Sequence, residues 1–380
     1  MDTNVLIVGA GPFGLSIAAL ASEKRVQHAI VGVAMEFWRR HMPEGMYLRS
    51  ACDWHLDPSN VDTVERFVEL QGKTPKDVEP LSLDFYLSYV DWFQKRKNIQ
   101  PTAVYIRRLD HVNDHLLATT DDNTTIRAQK VVLAPGFKHF SKVPHELKQR
   151  LAPCRFQHTC DFIDFGEATG KRFLIIGGRQ SAFEWAALLI ESGASAVHLV
   201  HRHESPAFAV ADWSWVNPMV DNLVQDPNWF RRLSNEEKQS ITQRLWAEGR
   251  LKIEPWLEPR LADDRVKIWP RTEVIKCNEL DGSHRIELSN GEIVEVDEIV
   301  LATGYKVDVG KLPYLANGNL LERLETRNGY PCLDDHFETS IPGLFVTSMP
   351  AAQDFGPYFG FTISVRTSAT LICERLVGHA

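Results

Sequence analysis

The chain contains the same pattern of strand, glycine turn and helix twice, and this repeat restricts the fold more than any other feature. In the first copy, an apolar run leads into Gly9, Gly11 and Gly14, and an alanine-rich apolar stretch follows. Residues 173–190 repeat the pattern. A strand that passes through such a turn into a helix is the fingerprint of a dinucleotide-binding unit. The chain therefore predicts two units of this kind.

The glycines of the first turn have separate roles in such a fingerprint. Gly9 permits the tight turn, Gly11 lets a pyrophosphate approach the backbone, and Gly14 allows the helix to pack closely on the strand. The phosphate then lies at the helix N-terminus, where backbone N–H groups are free. We therefore expect a dinucleotide to contact Gly9, Gly11, Pro12, Phe13 and Gly14.

Each copy closes on a short apolar run followed by a glycine, which is Gly136 in the first copy and Gly304 in the second. Gly9 and Gly136 are 127 positions apart, as are Gly177 and Gly304. An Asn-Gly turn at 290–291, flanked by alternating apolar residues, predicts a hairpin before the second closing signal. These signals predict an α/β fold with two Rossmann-like dinucleotide-binding domains that carry β-meander insertions.

Length and composition limit the class of protein. A chain of 380 residues suits two domains. The net charge of −8 argues against a nucleic-acid partner, and no apolar stretch is long enough to span a membrane. The chain starts without a cationic leader, and its six cysteines form no Cys-x-x-Cys pair and no zinc-ligand spacing. We expect a cytoplasmic protein with reduced thiols and no metal.

The paired glycine turns and the Ala-Thr-Gly-Tyr at residues 302–305 resemble the flavoproteins with two dinucleotide-binding domains, in particular the flavin-containing monooxygenase and N-hydroxylase group. The resemblance implies a FAD-binding domain formed by residues 1–165 and 306–380. It implies a NADPH-binding domain at 166–305, inserted into the first. Within the second domain, residues 205–261 form a helical insertion with five tryptophans, which serve either as core packing or as a lid or substrate wall.

The resemblance also implies a reaction. In this group NADPH reduces the flavin, and the reduced flavin binds dioxygen as a C4a-(hydro)peroxide that transfers oxygen to a small molecule. The cofactor carries the difficult chemistry, so we assign no catalytic side chain. Two alternatives remain: a flavin reductase or disulfide reductase, and a non-enzymatic flavin-bound protein. Five residues separate Cys154 from Cys160, unlike the two of a Cys-x-x-Cys motif, which disfavours the disulfide reductase.

The first unit lacks the acidic residue expected at the end of its second strand, because that strand ends at Gly32. Glu36, in a turn that resembles the Trp-containing turn of the family, is a candidate substitute. Residues 46–55 lie where related enzymes bring groups to the flavin ring. The FAD contacts expected outside the first glycine turn are Glu36, Trp38, Arg39, Ser50, Asp53 and Gly136.

The second unit has arginines at two informative positions. Arg179 replaces the middle glycine of the second turn, where it either crowds a pyrophosphate or clamps a phosphate. Arg202 follows the strand that would receive the adenosine ribose and suits a 2′-phosphate, which favours NADPH over NADH. His158 belongs to a partly matched monooxygenase fingerprint, and we interpret it as structural. The expected NADPH contacts are Gly177, Gly178, Arg179, Gln180, Ser181, Arg202 and Gly304.

Overall fold

The computed structural model describes residues 1–161 and 163–377. Its strands are β1 (Asp2–Val8), β2 (His28–Val31), β3 (Ile106–Val112), β4 (His115–Thr120), β5 (Thr125–Leu133), β6 (Gln157–His158), β7 (Arg172–Ile176), β8 (Ala196–Val200), β9 (Ala207–Phe208), β10 (Lys252–Ile253), β11 (Val266–Trp269), β12 (Val274–Leu280), β13 (Ser283–Leu288), β14 (Ile293–Val296), β15 (Glu298–Leu301), β16 (Thr326–Arg327), β17 (Tyr330–Pro331) and β18 (Leu344–Val346).

The α-helices vary from single turns to four turns. They are α1 (Pro12–Glu23), α2 (Val64–Glu69), α3 (Leu83–Arg96), α4 (His145–Leu151), α5 (Gln180–Glu191), α6 (Val216–Gln225), α7 (Trp229–Arg232), α8 (Asn235–Arg250), α9 (Glu258–Leu261), α10 (Pro313–Ala316), α11 (Ala352–Phe355) and α12 (Val365–Val377). In the described part of the chain, no helix is long and apolar enough to cross a membrane.

The first sheet has the strand order β2-β1-β5-β4-β3, and β18 also pairs with β5. β1 is parallel to β2 and β5, whereas β3, β4 and β5 form an antiparallel meander. The N-terminal part of β5 pairs with β4, and its end, from Val131 to Leu133, pairs in parallel with β18. The chain therefore returns to the first sheet near its C-terminus.

The second sheet is fully parallel and has the order β11-β8-β7-β15-β6. The strands β12, β13 and β14 form a separate antiparallel meander. The Asn-Gly hairpin joins β13 to β14, with the Leu288 N–H donating to the Glu292 carbonyl at 2.9 Å. β6 belongs to the second sheet although it precedes residue 166, where the sequence placed the start of the second domain.

The two sheets repeat one plan. β1, β2 and β5 in the first sheet occupy the positions of β7, β8 and β15 in the second, and β18 adds to β5 as β6 adds to β15. Each glycine turn follows the central strand, β1 or β7, and opens a twelve-residue helix, α1 or α5. The mixed α/β fold predicted from the sequence is confirmed.

Helices cover the parallel strands, which explains why those strands are continuously apolar rather than alternating. In the first unit α1 is buried from Phe13 to Ala21, and α12 packs against it, with the Ser16 hydroxyl 3.5 Å from the Val365 carbonyl. In the second unit one face packs on α5 and the other on the meander. Each glycine turn therefore lies at the carboxyl ends of parallel strands, between a buried strand and a buried helix.

The segment 205–261 contains β9, β10 and α6 to α9. The predicted helix at 235–250 is confirmed as α8, which begins with a capping box: the Ser234 hydroxyl accepts from the Glu237 N–H at 3.2 Å, and the Glu237 carboxylate accepts from the Ser234 N–H at 2.7 Å. Among its tryptophans, Trp215 is buried, whereas half of Trp246 is exposed. Core packing therefore accounts for only some of them.

Candidate functional site

In the first glycine turn, two of the three glycines have no room for a Cβ atom, and the third faces open space. A Cβ atom on Gly9, whose φ is +110°, would lie 2.3 Å from the Ala134 oxygen, and one on Gly14 would lie 1.8 Å from the Gly9 oxygen. At Gly11, no described atom comes within 4 Å of the corresponding position. Gly11 is also the N-cap of α1 and offers no side-chain cap to the first N–H groups. The turn therefore presents free donors to open space, as a pyrophosphate requires.

The second turn copies this backbone geometry. A Cβ on Gly177, whose φ is +151°, would lie 2.4 Å from the Ala302 oxygen, which repeats the contact of Gly9 with the first sheet. A Cβ on Gly178 would lie 2.5 Å from the His201 ring. Gly136 and Gly304, the closing glycines, have φ angles of +62° and +77°. The main difference between the turns is the side chain of Arg179.

Arg179 is anchored away from its own turn. Its Nη1 donates to the Arg250 carbonyl at 2.7 Å, and its guanidinium lies 5.1 Å from the ring centre of Trp246. Desolvation, together with the charges of Arg250 and Arg202, lowers the pKa of Arg179. Within the described residues, none of these three arginines pairs with a carboxylate. Such a group of unpaired cations suits the phosphates of a dinucleotide.

Two buried polar atoms beside the second turn lack partners among the described residues. They are the Nε2 atoms of Gln180 and His201. The other end of Gln180 is fixed, because its Oε1 accepts from the Glu254 N–H at 3.1 Å. Ser181 and Arg202 are exposed nearby. Unsatisfied buried donors and acceptors are costly, so a bound nucleotide that completes their hydrogen bonds fits this place.

Glu36 lies beside the first turn but already has protein partners. The preceding Met35 N–H donates to the Ala10 carbonyl at 2.9 Å, which fixes the segment against the turn. The Glu36 carboxylate accepts from the Tyr105 hydroxyl at 2.8 Å and lies 3.6 Å from Lys138 Nζ. Its proposed contact with a ribose remains a prediction.

Trp38 and Arg39 both contact α3. The Trp38 ring stacks on Tyr86 with 5.1 Å between ring centres, and Arg39 Nη2 lies 2.5 Å from Asp91. Both side chains leave from a single π-helical turn at Phe37–His41. Their assignment as cofactor contacts is untested, and in this conformation they stabilise the packing of α3.

The segment at residues 46–55 connects the two units. Arg49 donates from Nε to Glu254 at 2.8 Å and from Nη1 to the Gly249 carbonyl at 2.8 Å, and its guanidinium lies 5.4 Å from the ring centre of Trp213. All three partners belong to the helical insertion. The segment expected near the flavin ring is therefore held by the second unit.

Ser50 and Asp53, the two predicted contacts in this segment, are both partly buried and contact other parts of the chain. The Ser50 hydroxyl is 3.3 Å from that of Thr362, which belongs to the returning C-terminal segment. The Asp53 carboxylate accepts from Asn217 Nδ2 at 2.7 Å. One oxygen of Asp53 and the amide oxygen of Asn217 are buried without partners among the described residues. Two free acceptors at this junction fit a bound group that donates hydrogen bonds.

Glu184 is a buried carboxyl that the sequence analysis missed. It lies in α5 with 1% of its surface exposed, and it accepts from the Tyr47 N–H at 2.8 Å. Burial raises the pKa of Glu184 to about 7, although Arg260 and Arg49 act in the opposite direction. In the sequence, a single glutamate within the apolar face of this helix could have indicated a buried carboxyl.

His158 has the structural role that we predicted. Its Nδ1 accepts from the Cys160 N–H at 3.1 Å, so its Nε2 carries the proton and donates to the Gly304 carbonyl at 3.1 Å. Burial lowers its pKa. The ring thereby fixes the closing glycine of the second unit. The aromatic residue that ends this fingerprint, Phe162, lies outside the described residues.

The expectation of reduced, separate cysteines is wrong for one pair. Cys154 and Cys277 form a disulfide, and they are 123 positions apart. Local spacing cannot reveal such a pair, because the folding of the meander onto α4 brings the two segments together. Cys160 is a free thiol, and burial raises its pKa to about 11.

Comparison with known proteins identifies the scaffold. Residues 6–244 match the family described as pyridine nucleotide-disulphide oxidoreductase, which is more than half of the chain. The chain belongs to this family. Membership in the pyridine nucleotide-disulphide oxidoreductase family confirms the predicted flavoprotein resemblance and the oxidoreductase class. A structurally similar protein, the ornithine N-hydroxylase KtzI, was solved with reduced FAD and NADP⁺.

Three relatives illustrate the range of similarity. Probable indole-3-pyruvate monooxygenase YUCCA8 of Arabidopsis thaliana is 24% identical over 367 residues, covering 86% of this chain and 79% of that protein. The ornithine N-hydroxylase KtzI of Kutzneria sp. 744 has a TM-score of 0.78 at 17% identity over 99% of both chains. The bacillithiol disulfide reductase Bdr of Staphylococcus aureus has a TM-score of 0.67 at 18% identity, covering 99% and 98%. The two solved structures share the fold.

Proposed function

We propose that this protein is a FAD- and NADPH-dependent monooxygenase that acts on a small molecule with dioxygen. The observation that carries the proposal is the repeated turn geometry, in which Gly9 packs on Ala134 and Gly177 packs on Ala302 at the carboxyl ends of two similar sheets. This arrangement supports the assignment of two dinucleotide sites in one chain. The names of YUCCA8 and KtzI, a monooxygenase and an N-hydroxylase, support the choice of reaction.

The residues divide the work between the two cofactors. Gly11 and the free N–H groups of α1 would hold the FAD pyrophosphate, and Arg179, Arg202 and Arg250 would hold the phosphates of NADPH. FAD, when bound, accepts a hydride from NADPH and activates dioxygen. The protein contributes position and exclusion of water.

An aromatic group beside residues 46–55 is suited to excluding water. Trp54 lies 6.0 Å from Trp213 and 6.5 Å from Phe361, measured between ring centres, and Trp213 lies 5.9 Å from Phe361. These rings come from the first unit, the helical insertion and the C-terminal segment. We infer that the insertion is a wall of the substrate site, which is the second of the two roles considered for it.

Each cofactor would bind to a separate domain. Residues 1–165 and 306–380 would form the FAD-binding domain, with the NADPH-binding domain at 166–305 inserted into it and the helical insertion at 205–261. The pairing of β18 with β5 supports the return of the chain to the first domain. Because β6, at Gln157–His158, pairs with β15, the chain already enters the second sheet at residue 157, earlier than the proposed boundary at 166.

A disulfide reductase is the main competing function, and the cysteines argue against it. The raised pKa of Cys160 leaves it protonated and a poor nucleophile near neutral pH. Cys154 lines a cavity of about 600 Å³ together with Phe173 and Glu298. Phe173 is the second residue of β7, and Glu298 is the first residue of β15. The turn at Gly177 follows the other end of β7, roughly 15 Å away at the usual rise of a parallel strand. The disulfide therefore lies near the amino ends of these strands, whereas the proposed nucleotide sites lie at their carboxyl ends.

Rapid mixing with NADPH tests the proposal. Under nitrogen, NADPH should bleach the flavin absorbance of the purified protein. In air, amines, sulfides and ketones are then screened for compounds that lower the hydrogen peroxide released per NADPH consumed. A substrate that couples the reaction supports a monooxygenase. Stoichiometric peroxide with every compound indicates an oxidase or reductase, and the absence of bleaching indicates a non-enzymatic flavoprotein.

Arg202→Ala should weaken the preference for NADPH. Loss of the cation facing the 2′-phosphate should raise the KM for NADPH by roughly tenfold, equivalent to about 1.4 kcal/mol, with little change for NADH. Steady-state kinetics with both nucleotides measures the effect. Arg66→Ala, which removes an exposed arginine paired with Glu69 on α2, is the control. Equal losses for both nucleotides would remove Arg202 from the 2′-phosphate site.

A further inference from the structure

We propose that Cys154, Cys277 and His284, in the reduced protein, bind one soft divalent cation such as Zn²⁺. The cluster lies between the loop after α4 and the β12–β13 hairpin, away from both glycine turns. The sequence showed no metal-ligand spacing because the three residues come from separate segments. This proposal stands independently of the monooxygenase assignment.

The three side chains converge in the folded protein. Each offers one ligand atom, all three atoms lie within 4.8 Å of one another, and all three residues are buried. The β12–β13 register pairs Cys277 with Ile286 and Glu279 with His284, so Cys277 and His284 are diagonal neighbours on the same face of the hairpin. Cys154 reaches that face from the loop after α4. The fold therefore assembles the ligands without a contiguous motif.

His284 supplies an independent indication of a ligand. The residue is 8% exposed, and its Nδ1 is buried without a hydrogen-bond partner among the described residues. A buried ring nitrogen normally finds a donor, an acceptor or a metal. Two thiolates with an imidazole form a ligand set that Zn²⁺ prefers, and a water molecule can complete the tetrahedron. A cation at this place would account for the cluster and for the unpaired nitrogen together.

The disulfide and the cation site are alternative states of the same two sulfurs. A phosphine attacks one sulfur and supplies the two electrons that break the S–S bond; one water molecule then provides both thiol protons and the oxygen of the phosphine oxide that leaves. Each thiol then loses a proton on binding the cation. Two sulfurs bound tetrahedrally at about 2.3 Å from Zn²⁺ stand about 3.8 Å apart. The Cα atoms of Cys154 and Cys277 are 6.2 Å apart. At this backbone separation, rotation of the two side chains can bring the sulfurs of the reduced protein to the spacing that the cation needs.

Cobalt titration of the reduced flavoprotein tests the site. The purified protein is reduced with a phosphine, desalted under nitrogen and titrated with Co²⁺, which reports thiolate ligands by charge-transfer absorption and tetrahedral geometry by its d–d bands. We expect one equivalent to bind and Zn²⁺ to displace it. Cys154→Ser, Cys277→Ser and His284→Ala should each weaken binding at least tenfold. Cys160→Ser, which removes a buried free thiol elsewhere, should leave the titration unchanged.

Three results would overturn the proposal: no cobalt bands after reduction, bands that persist in the three variants, or a disulfide that resists the phosphine in the native protein. Flavin content and circular dichroism report whether each variant folds. If the variants do not fold, the native reduced protein is alkylated with and without Cd²⁺, and peptides are read by mass spectrometry. Cd²⁺ should protect Cys154 and Cys277 but not the half-buried Cys332. Absence of protection rejects the site.

Discussion

Gly11→Val is expected to give a folded protein that purifies without FAD. No described atom outside the neighbouring residues lies within 4 Å of the position that a Cβ would occupy, so the branch point of a valine has room within the protein. Its methyl groups would instead fill the space that the pyrophosphate needs beside α1. Flavin absorbance per protein should fall by more than tenfold, whereas the far-ultraviolet circular dichroism should match the parent. Both are measured on the purified variant.

Gly14→Ala is the matched comparison within the same turn. The added Cβ would lie 1.8 Å from the Gly9 oxygen, so the turn itself must move and α1 must separate from β1. This variant should lose thermal stability as well as flavin. The two substitutions thus separate loss of ligand space from loss of the turn. Normal flavin content in Gly11→Val would show that the first turn does not hold the pyrophosphate.

The parent protein should become less stable to unfolding as the pH rises and Glu184 ionises. Glu184→Gln should not show this decrease, because glutamine carries no charge. Burial raises the pKa of this carboxyl from 4.5 to about 7, so folding favours its protonated form. The contribution is fully present below pH 4.5, falls as the pH rises through the folded pKa, and is constant above about pH 7. The shift corresponds to roughly 3 kcal/mol. Glutamine keeps the acceptor for the Tyr47 N–H and carries no charge.

Thermal unfolding between pH 4.5 and 8 measures this difference. The midpoint of Glu184→Gln relative to the parent should rise with pH and level off above about pH 7. Glu167→Gln, which removes an exposed carboxyl that lies 3.7 Å from Lys171, should give a pH profile parallel to that of the parent. A parallel profile for Glu184→Gln as well would mean that the carboxyl is ionised in the folded protein throughout this range.

Local patterns in the sequence were sufficient for the repeated core. The apolar run before Gly9, and its counterpart before Gly177, predicted β1 and β7 because strands buried on both faces need continuous apolar residues. The glycine positions followed from short-range geometry, since a tight turn restricts φ and leaves no room for a Cβ. The Asn-Gly hairpin was equally local.

Residues that depend on long-range packing were not predicted. Arg250 ends α8 in the insertion, and only the folded chain brings its carbonyl to Arg179. Glu184 meets Tyr47 across the junction between the units, 137 positions away. Trp38 and Arg39 illustrate the opposite case, because a motif correctly suggested a turn but could not indicate that its side chains contact α3.

The divided pairing of β5 has a consequence for the order in which the protein assembles during synthesis. From Val131 to Leu133, β5 pairs with β1 along one edge, but its other edge has no partner strand until β18, at Leu344–Val346, has been made. The second sheet is complete once β15 ends at Leu301. A growing chain can therefore close its second nucleotide unit while the first still has an open edge, and domains generally fold as units when their residues become available. We expect the flavin to join last, after the tail has sealed the sheet on which the first glycine turn stands.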